Sequence, residues 1–144
     1  MVLAFDFGER RIGVAVASTA AGAAGAAGTL AARAGEPDWA GLDRLLAEWQ
    51  PARLVIGLPY NADGSESAMT AKARRFGAAL AQRYALPLAW VDERYTSTDA
   101  EQRLREERAS GRRRRLRKQD IDQQAAILIA QSWLRSTGRE PGGQ

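Results

Sequence analysis

Residues 2–17 read VLAFDFGERRIGVAVA, and how this stretch folds decides the rest. Val2–Phe7 is a short apolar run that stops at Gly8, the pattern of a strand. Gly8-Glu9-Arg10 reads as a turn. Ile12, Val14 and Val16 then alternate with Gly13, Ala15 and Ala17, the pattern of a second strand paired with the first as a hairpin. Asp6 breaks the apolar run. By strand alternation it shares a face with Val2 and Ala4, so its carboxylate heads where apolar side chains head. Burying an unpaired carboxylate costs several kcal/mol, so the position demands a cation, hydrogen bonds or a metal. The ordinary structural account is hydrogen bonding to amides of the Gly8–Arg11 turn, or pairing with Arg10 or Arg11.

Moving outward, Ala20–Gly28 holds Ala-Ala-Gly units and reads as a flexible loop, followed by Thr29–Ala34 as a short third edge strand. Asp38–Trp49 carries Trp39, Leu42, Leu45, Leu46 and Trp49 at helical spacing, with Asp38 as N-cap and Pro51 past the end. Arg53–Leu58 (RLVIGL) is a buried-type strand. Pro59–Ser65 is a turn-rich loop around Asp63-Gly64. Ser67–Tyr84 places Met69, Ala73, Phe76, Leu80 and Tyr84 on one helical face, and Pro87–Val91 is another strand. Thr98 and Glu101 form a capping box for a helix to about Arg108. Ala109–Lys118 is a basic loop and Asp120–Ser136 a last amphipathic helix. This order predicts an α/β fold with a mixed sheet and helices on its faces. The chain's 144 residues suit a single domain over residues 1–137, with a flexible tail at 138–144.

Composition narrows the chemistry. With neither Cys nor His, the chain can build no disulfide, thiolate zinc site, iron–sulfur cluster, thiol nucleophile or His-based triad. Catalysis falls to carboxylates, Lys/Arg, hydroxyls or backbone amides. The net charge is +4, but Arg103–Lys118 alone carries nine basic residues against Glu106 and Glu107, so the remainder is near −3. A concentrated basic patch fits a polyanion partner. Charged residues at Asp6, Glu9, Arg10 and Arg11 interrupt any secretion signal. The uncharged stretch Ile12–Ala32 is mostly Ala and Gly, which argues against a membrane span. The expected compartment is the cytoplasm.

Two more acids stand at element ends. Asp92-Glu93-Arg94 closes the Leu88–Val91 strand, and strand ends of α/β sheets are where ligands bind. Asp92 and Glu93 point to opposite faces, so at most one joins a shared site. A charged strand end meeting solvent, with Arg94 as a salt-bridge partner, is the plainer account. Asp122 begins the series Asp122, Ala126, Ile129, Trp133 on the apolar stripe of the last helix. Helix-dipole stabilisation is the plainer account there, although Asp120 serves it better. Convergence of Asp6, Glu93 and Asp122 at one sheet rim would require a counter-charge. Hard divalent cations with oxygen ligands supply it. A pair of such ions hydrolyses phosphodiesters without His or Cys.

The segments FDFGERRIGVAVA, VIGLPYNADGSES, VDERYTS and DIDQQAAILIAQSWL, together with the basic stretch, resemble the YqgF/RuvX family of the ribonuclease H-like superfamily. The likeness covers about Leu3 to Leu134. One departure is Ser18-Thr19, where members often carry Ser-Asp after the second strand. The resemblance implies a ribonuclease H-like α/β fold, a five-stranded mixed sheet flanked by helices on both faces. It implies a metal site of Asp6, Glu93 and Asp122 holding two Mg²⁺ or Mn²⁺ ions. It also implies a nuclease maturing the 5′ end of 16S ribosomal RNA precursors, or a Holliday-junction resolvase.

Contacts to nucleic acid are expected from Arg10, Arg11, Asn61, Ser65, Arg94, Arg112, Arg113, Arg114, Arg115, Arg117 and Lys118. The Gly57–Ser67 loop, between a strand and a helix, could cradle a phosphate, or it could be an ordinary turn with a Ser cap. The arginine run could grip backbone phosphates, or it could be a solvated charged face. Few aromatics lie near it, which favours backbone and shape recognition of structured or single-stranded RNA, or of branched DNA. A monomer or weak homodimer is expected. A binding module without catalysis and an actin-like ATPase are the competing classes; the chain is short for the two lobes of the latter.

Overall fold

The computed structural model describes residues 1–93 and 118–139, with side chains for 1–93 and 123–136. Strands β1 (Val2–Asp6), β2 (Arg11–Ser18), β3 (Ala23–Arg33) and β4 (Glu36–Pro37) come first. Helix α1 (Trp39–Trp49), β5 (Arg53–Leu58), α2 (Ala68–Tyr84), β6 (Leu88–Asp92) and α3 (Lys118–Arg139) follow. Among these residues the sheet has six strands in the order β4-β3-β2-β1-β5-β6. β1 to β4 pair antiparallel, whereas β1, β5 and β6 run parallel. The mixed α/β architecture is the expected one. The sixth strand is the two-residue β4, too short to leave a period in the sequence.

Strand alternation sorts the core into two layers. Leu3, Phe5, Ile12, Val14, Leu54 and Ile56 meet Leu42, Phe76 and Leu80 from α1 and α2 on one face. Val2, Ala4, Ala15, Ala17, Val55 and Val91 meet Ala126, Ile129 and Ala130 of α3 on the other. The second layer is built from small residues, so α3 can lie close across β1, β2 and β3.

One expectation is corrected here. Ala23–Gly28 is not a loop but the first half of an eleven-residue β3. It pairs with Val14–Ser18, and a register shift at Val14/Ala15 takes up the extra residue Ala27. Intrinsic strand preference is weak in Ala and Gly, yet the β2 ladder and the face of α3 favour small side chains there. The loop shrinks to a turn in which the Gly22 amide donates to the Ser18 carbonyl at 2.8 Å, with Gly22 at φ +66°. The third strand thus starts at Ala23 and is not an edge strand, since β4 pairs with it. Ile12–Ala32 lies in this hairpin, and among the described residues no helix is long and apolar enough to cross a membrane.

The capping chemistry agrees with the sequence. Asp38 accepts from the Gly41 amide at 3.2 Å and starts α1. Ser67 and Thr70 form a reciprocal capping box at the start of α2. Helix α3 begins at Lys118 and ends at Arg139, longer at both ends than Asp120–Ser136. Weak helix formers such as Gly138 cost only about 1 kcal/mol each, so packing of α3 on the sheet overrides them. The expected helix from Thr98 to Arg108, most of the basic loop (109–117) and residues 140–144 of the expected 138–144 tail lie outside the described residues, while Gly138 and Arg139 of that tail belong to α3.

Candidate metal centre

Asp6 ends β1 and Glu93 follows directly on β6. Both strands run in the same direction with β5 between them, so these two positions meet at one rim of the sheet. Alternation puts them on the same face. Asp6 follows Val2 and Ala4, and Glu93 follows Val91, all in the layer covered by α3. Asp92 has the parity of Trp90 and faces the α2 side instead. The Glu93 amide donates to the Leu58 carbonyl at 2.9 Å, which extends the β6 ladder by one residue.

Glu93 is 8% exposed, the one buried acid among the described residues. Its side chain shares a hydrogen bond with Asp6. Burial, then the neighbouring Asp6 charge and that hydrogen bond, then the Asp92 charge, push its pKa up to about 9. The two charges that raise it, those of Asp6 and Asp92, are both negative. These effects favour the protonated Glu93 carboxyl at neutral pH, the form that can donate to Asp6. A hard dication with oxygen ligands fits such a pair, because it can take the proton's place and neutralise both groups.

Backbone geometry leaves room for this. Asp6 and Gly57 each lie one residue past the paired Phe5 and Ile56. On the other side Asp6 pairs with Gly13, and Gly13 with Thr29. Glycines thus flank Asp6 on both neighbouring strands. A Cβ on Gly57 would stand 2.8 Å from Glu93 Cγ and 2.4 Å from Ile129 Cδ1.

Asp122 lies in the second turn of α3, a helix that packs on β1, β2 and β3. Its neighbour Gln123 donates from Nε2 to Thr29 Oγ1 at 3.0 Å. That bond ties the start of α3 to the far end of the Asp6–Gly13–Thr29 row. Asp122's backbone is therefore held over the same face as Asp6 and Glu93. Among the described side chains no group of three potential metal ligands occurs.

Arg10 and Arg11 sit at the β1–β2 turn, on the rim that bears Asp6, and register puts Arg11 on the Asp6 face with Gly13. Asn61 and Ser65 occupy the β5–α2 loop at that rim, but they are engaged with each other. Asn61 Nδ2 donates to Ser65 Oγ at 2.9 Å, and Ser65 Oγ donates to Asp63 Oδ1 at 2.6 Å. The amides of Asn61, Gly64 and Ser65 are also spent inside the loop, on Ser65 O, Asn61 O and Asp63 Oδ1. The residue that caps α2 is Ser67. Arg94, Arg112, Arg113, Arg114, Arg115 and Arg117 lie outside the described residues, and Lys118 is the first residue of α3.

Sequence reasoning missed the parts played by Gly57, Thr29 and Gln123. Gly57 carried a signal, a glycine two residues before the Pro59 loop. Its meaning depends on cross-strand register, which no local pattern encodes.

The family model described as "RuvX: Holliday junction resolvase" matches residues 1–136. The chain is 49% identical over 135 residues to a protein of Dechloromonas aromatica (strain RCB), covering 94% of this chain and 90% of that one. It is 47% identical to one of Nitrosococcus oceani, covering 93% and 86%. Both bear the name "Putative pre-16S rRNA nuclease". Among solved structures it is similar to T. thermophilus RuvC in complex with Holliday junction substrate, with TM-score 0.53, 14% identity and 94% of each chain covered. It is also similar to the yeast mitochondrial Holliday junction resolvase Ydc2, with TM-score 0.54, 14% identity, and coverage of 93% of this chain and 77% of that one. At such identity the likeness establishes a shared fold.

Proposed function

The chain belongs to the RuvX family, and from that premise we propose that it is a metal-dependent nuclease that hydrolyses phosphodiester bonds of nucleic acid, with Asp6, Glu93 and Asp122 as its metal ligands. The observation that carries this reading is the hydrogen-bonded Asp6–Glu93 pair at a strand-end rim, in which Glu93 is buried and its pKa is raised by the Asp6 and Asp92 charges. Folding gains nothing obvious from such a pair, and perturbed carboxyls in this position mark functional sites.

A bound Mg²⁺ or Mn²⁺ pair would supply Lewis-acid chemistry, polarising the scissile phosphate and lowering the pKa of the attacking water. Asp6 and Glu93 provide the oxygen donors and fix their spacing through the β1 and β6 ends. Asp122, a residue of α3, would contribute the third carboxylate. Arg10 and Arg11 at the hairpin turn, and the arginine run 112–115 with Arg117 and Lys118, attract and position the phosphate backbone. Asn61 and Ser65, at the rim, and Arg94 add further contacts to the nucleic acid. Asn61 and Ser65 must first exchange their mutual hydrogen bond for the ligand.

Cleavage of the 16S ribosomal RNA precursor, at its 5′ end in our reading, is the substrate assignment best supported, because relatives at 47–49% identity carry the name "Putative pre-16S rRNA nuclease". Four-way-junction cleavage is the second reading, favoured by the description of the matching family. One experiment separates them: the pure protein is incubated with a precursor 5′ fragment and with a four-way junction, side by side, with Mn²⁺ and with chelator. Metal-dependent cutting of the fragment alone supports the first reading. Cutting of the junction alone supports the second, and binding without cutting of either removes both.

A further inference from the structure

Three observations converge on Gly57. It lies one residue beyond the β1–β5 pair Phe5–Ile56, directly beside Asp6. It shares the α3 face with Val55, which is fully buried under that helix. Finally, a methyl group there would meet Glu93 Cγ at 2.8 Å, Glu93 Cδ at 2.9 Å and Ile129 Cδ1 at 2.4 Å. Real Cβ atoms do not approach other carbons so closely, so a side chain at this position must displace Glu93, Ile129 or both.

The geometry points to Gly57 as the positioning residue of the metal site: its bare Cα is the gap through which the Glu93 side chain crosses β5 to reach Asp6, with Ile129 closing the gap from above. The inference rests on the reading of Asp6 and Glu93 as metal ligands. Sheet order explains why a gap is needed. Glu93 extends β6 and Asp6 ends β1, and β5 stands between them. Neighbouring strands are about 4.8 Å apart, so the two carboxyls start roughly two strand spacings from each other. The Glu93 side chain must lie flat over β5 to close that distance. Any residue but glycine on the α3 face of β5 would occupy its path. The φ of Gly57 is not what matters; only the missing Cβ is.

The test separates Glu93 from Ile129. In Gly57→Ala/Ile129→Val the Val lacks Cδ1, which removes the closest clash and leaves the two with Glu93. Mn²⁺ binding is measured by electron paramagnetic resonance, and unfolding by urea, for this double variant, Ile129→Val, Glu93→Gln and wild type. The expected result is a folded double variant that binds Mn²⁺ about 10–100-fold more weakly than Ile129→Val, the scale typical of disturbing the groups that orient a ligand. Binding within twofold of Ile129→Val would overturn the inference.

The stability cycle covers the case in which the double variant does not fold. Gly57→Ala is introduced into Ile129→Val and into Ile129→Val/Glu93→Ala, where nothing of the Glu93 side chain remains beyond Cβ. A markedly smaller destabilisation in the second background supports the crossing. Equal destabilisation, or failure to fold in both, means the glycine serves packing alone and overturns it. If wild type binds Mn²⁺ no better than Glu93→Gln, the metal reading fails, while the cycle still decides whether Gly57 seats Glu93.

Discussion

Glu93 hydrogen-bonds Asp6 from the far side of β5, the strand that separates β6 from β1. Two acids from distant parts of the chain are thereby held at one rim of the sheet, with Glu93 buried and its pKa raised by the Asp6 and Asp92 charges. This relationship joins the sheet topology to the chemistry, and the predictions below follow from it or from the contacts that hold it in place.

Removing either carboxylate removes an oxygen donor without removing bulk. Asp6→Asn and Glu93→Gln are each expected to lower metal-dependent cleavage by about 10²-fold or more, the scale seen when a group serving transition-state charge is lost. Circular dichroism is expected to stay native. Cleavage near the wild-type rate in either variant would remove that residue from the site.

Stability in the absence of metal should depend on pH through Glu93. Its folded pKa, pushed up to about 9 by burial and by Asp6, lies above the ordinary 4.5. Between those values the folded protein keeps a proton that the unfolded chain has released. The stabilisation is complete below the unfolded value and is lost as pH rises through the folded one. Melting temperature in chelator should therefore fall from about pH 5 to about pH 9, and Glu93→Gln should flatten that fall. Added Mn²⁺ should raise it more at about pH 8 than at about pH 5, because binding needs the ionised carboxylate.

Much of this frame is legible in the sequence, for local reasons. Asp38 caps α1, Arg53–Leu58 is a strand with those bounds, and Asp6 and Glu93 stand out as acids at the ends of apolar runs. Alternation alone puts Asp6 on a buried face. Where the reading failed, the deciding force was not local. Ala23–Gly28 has no strand propensity of its own and is made a strand by β2 beneath its ladder and α3 across its face. Gly57 gains its meaning only from lying between two strands that the sequence does not pair.

Thr70 anchors the rim loop from α2. It is fully buried, its hydroxyl donates to the Pro59 carbonyl, and it accepts from the Ser67 amide at 3.0 Å. Thr70→Val keeps the shape and leaves the Ser67 amide without its acceptor, while the Pro59 carbonyl keeps only the Ser67 hydroxyl at 3.3 Å. It is expected to cost about 1–3 kcal/mol in urea unfolding. A change under about 0.5 kcal/mol would mean that water replaces the hydroxyl.

Thr29→Val breaks the bond that ties Gln123 to β3. The expected loss is about 1 kcal/mol of stability. Weaker Mn²⁺ binding should accompany it, as the start of α3 and with it Asp122 loses its register over the sheet. Unchanged Mn²⁺ affinity alongside the stability loss would mean that Asp122 needs no such tether.

The arginine run is proposed to act through phosphates and not through bases. Arg112→Ala/Arg113→Ala/Arg114→Ala should weaken RNA binding about equally across sequences. It should also lower the slope of log affinity against log salt by about 2–3. An unchanged slope in filter-binding titrations would place these side chains away from the backbone.

The most direct test is anomalous diffraction from crystals soaked in Mn²⁺. The account predicts an anomalous peak coordinated by carboxylate oxygens of both Asp6 and Glu93, on the face covered by α3. A peak bound elsewhere, or Asp6 and Glu93 still hydrogen-bonded to each other at saturating Mn²⁺, would contradict it.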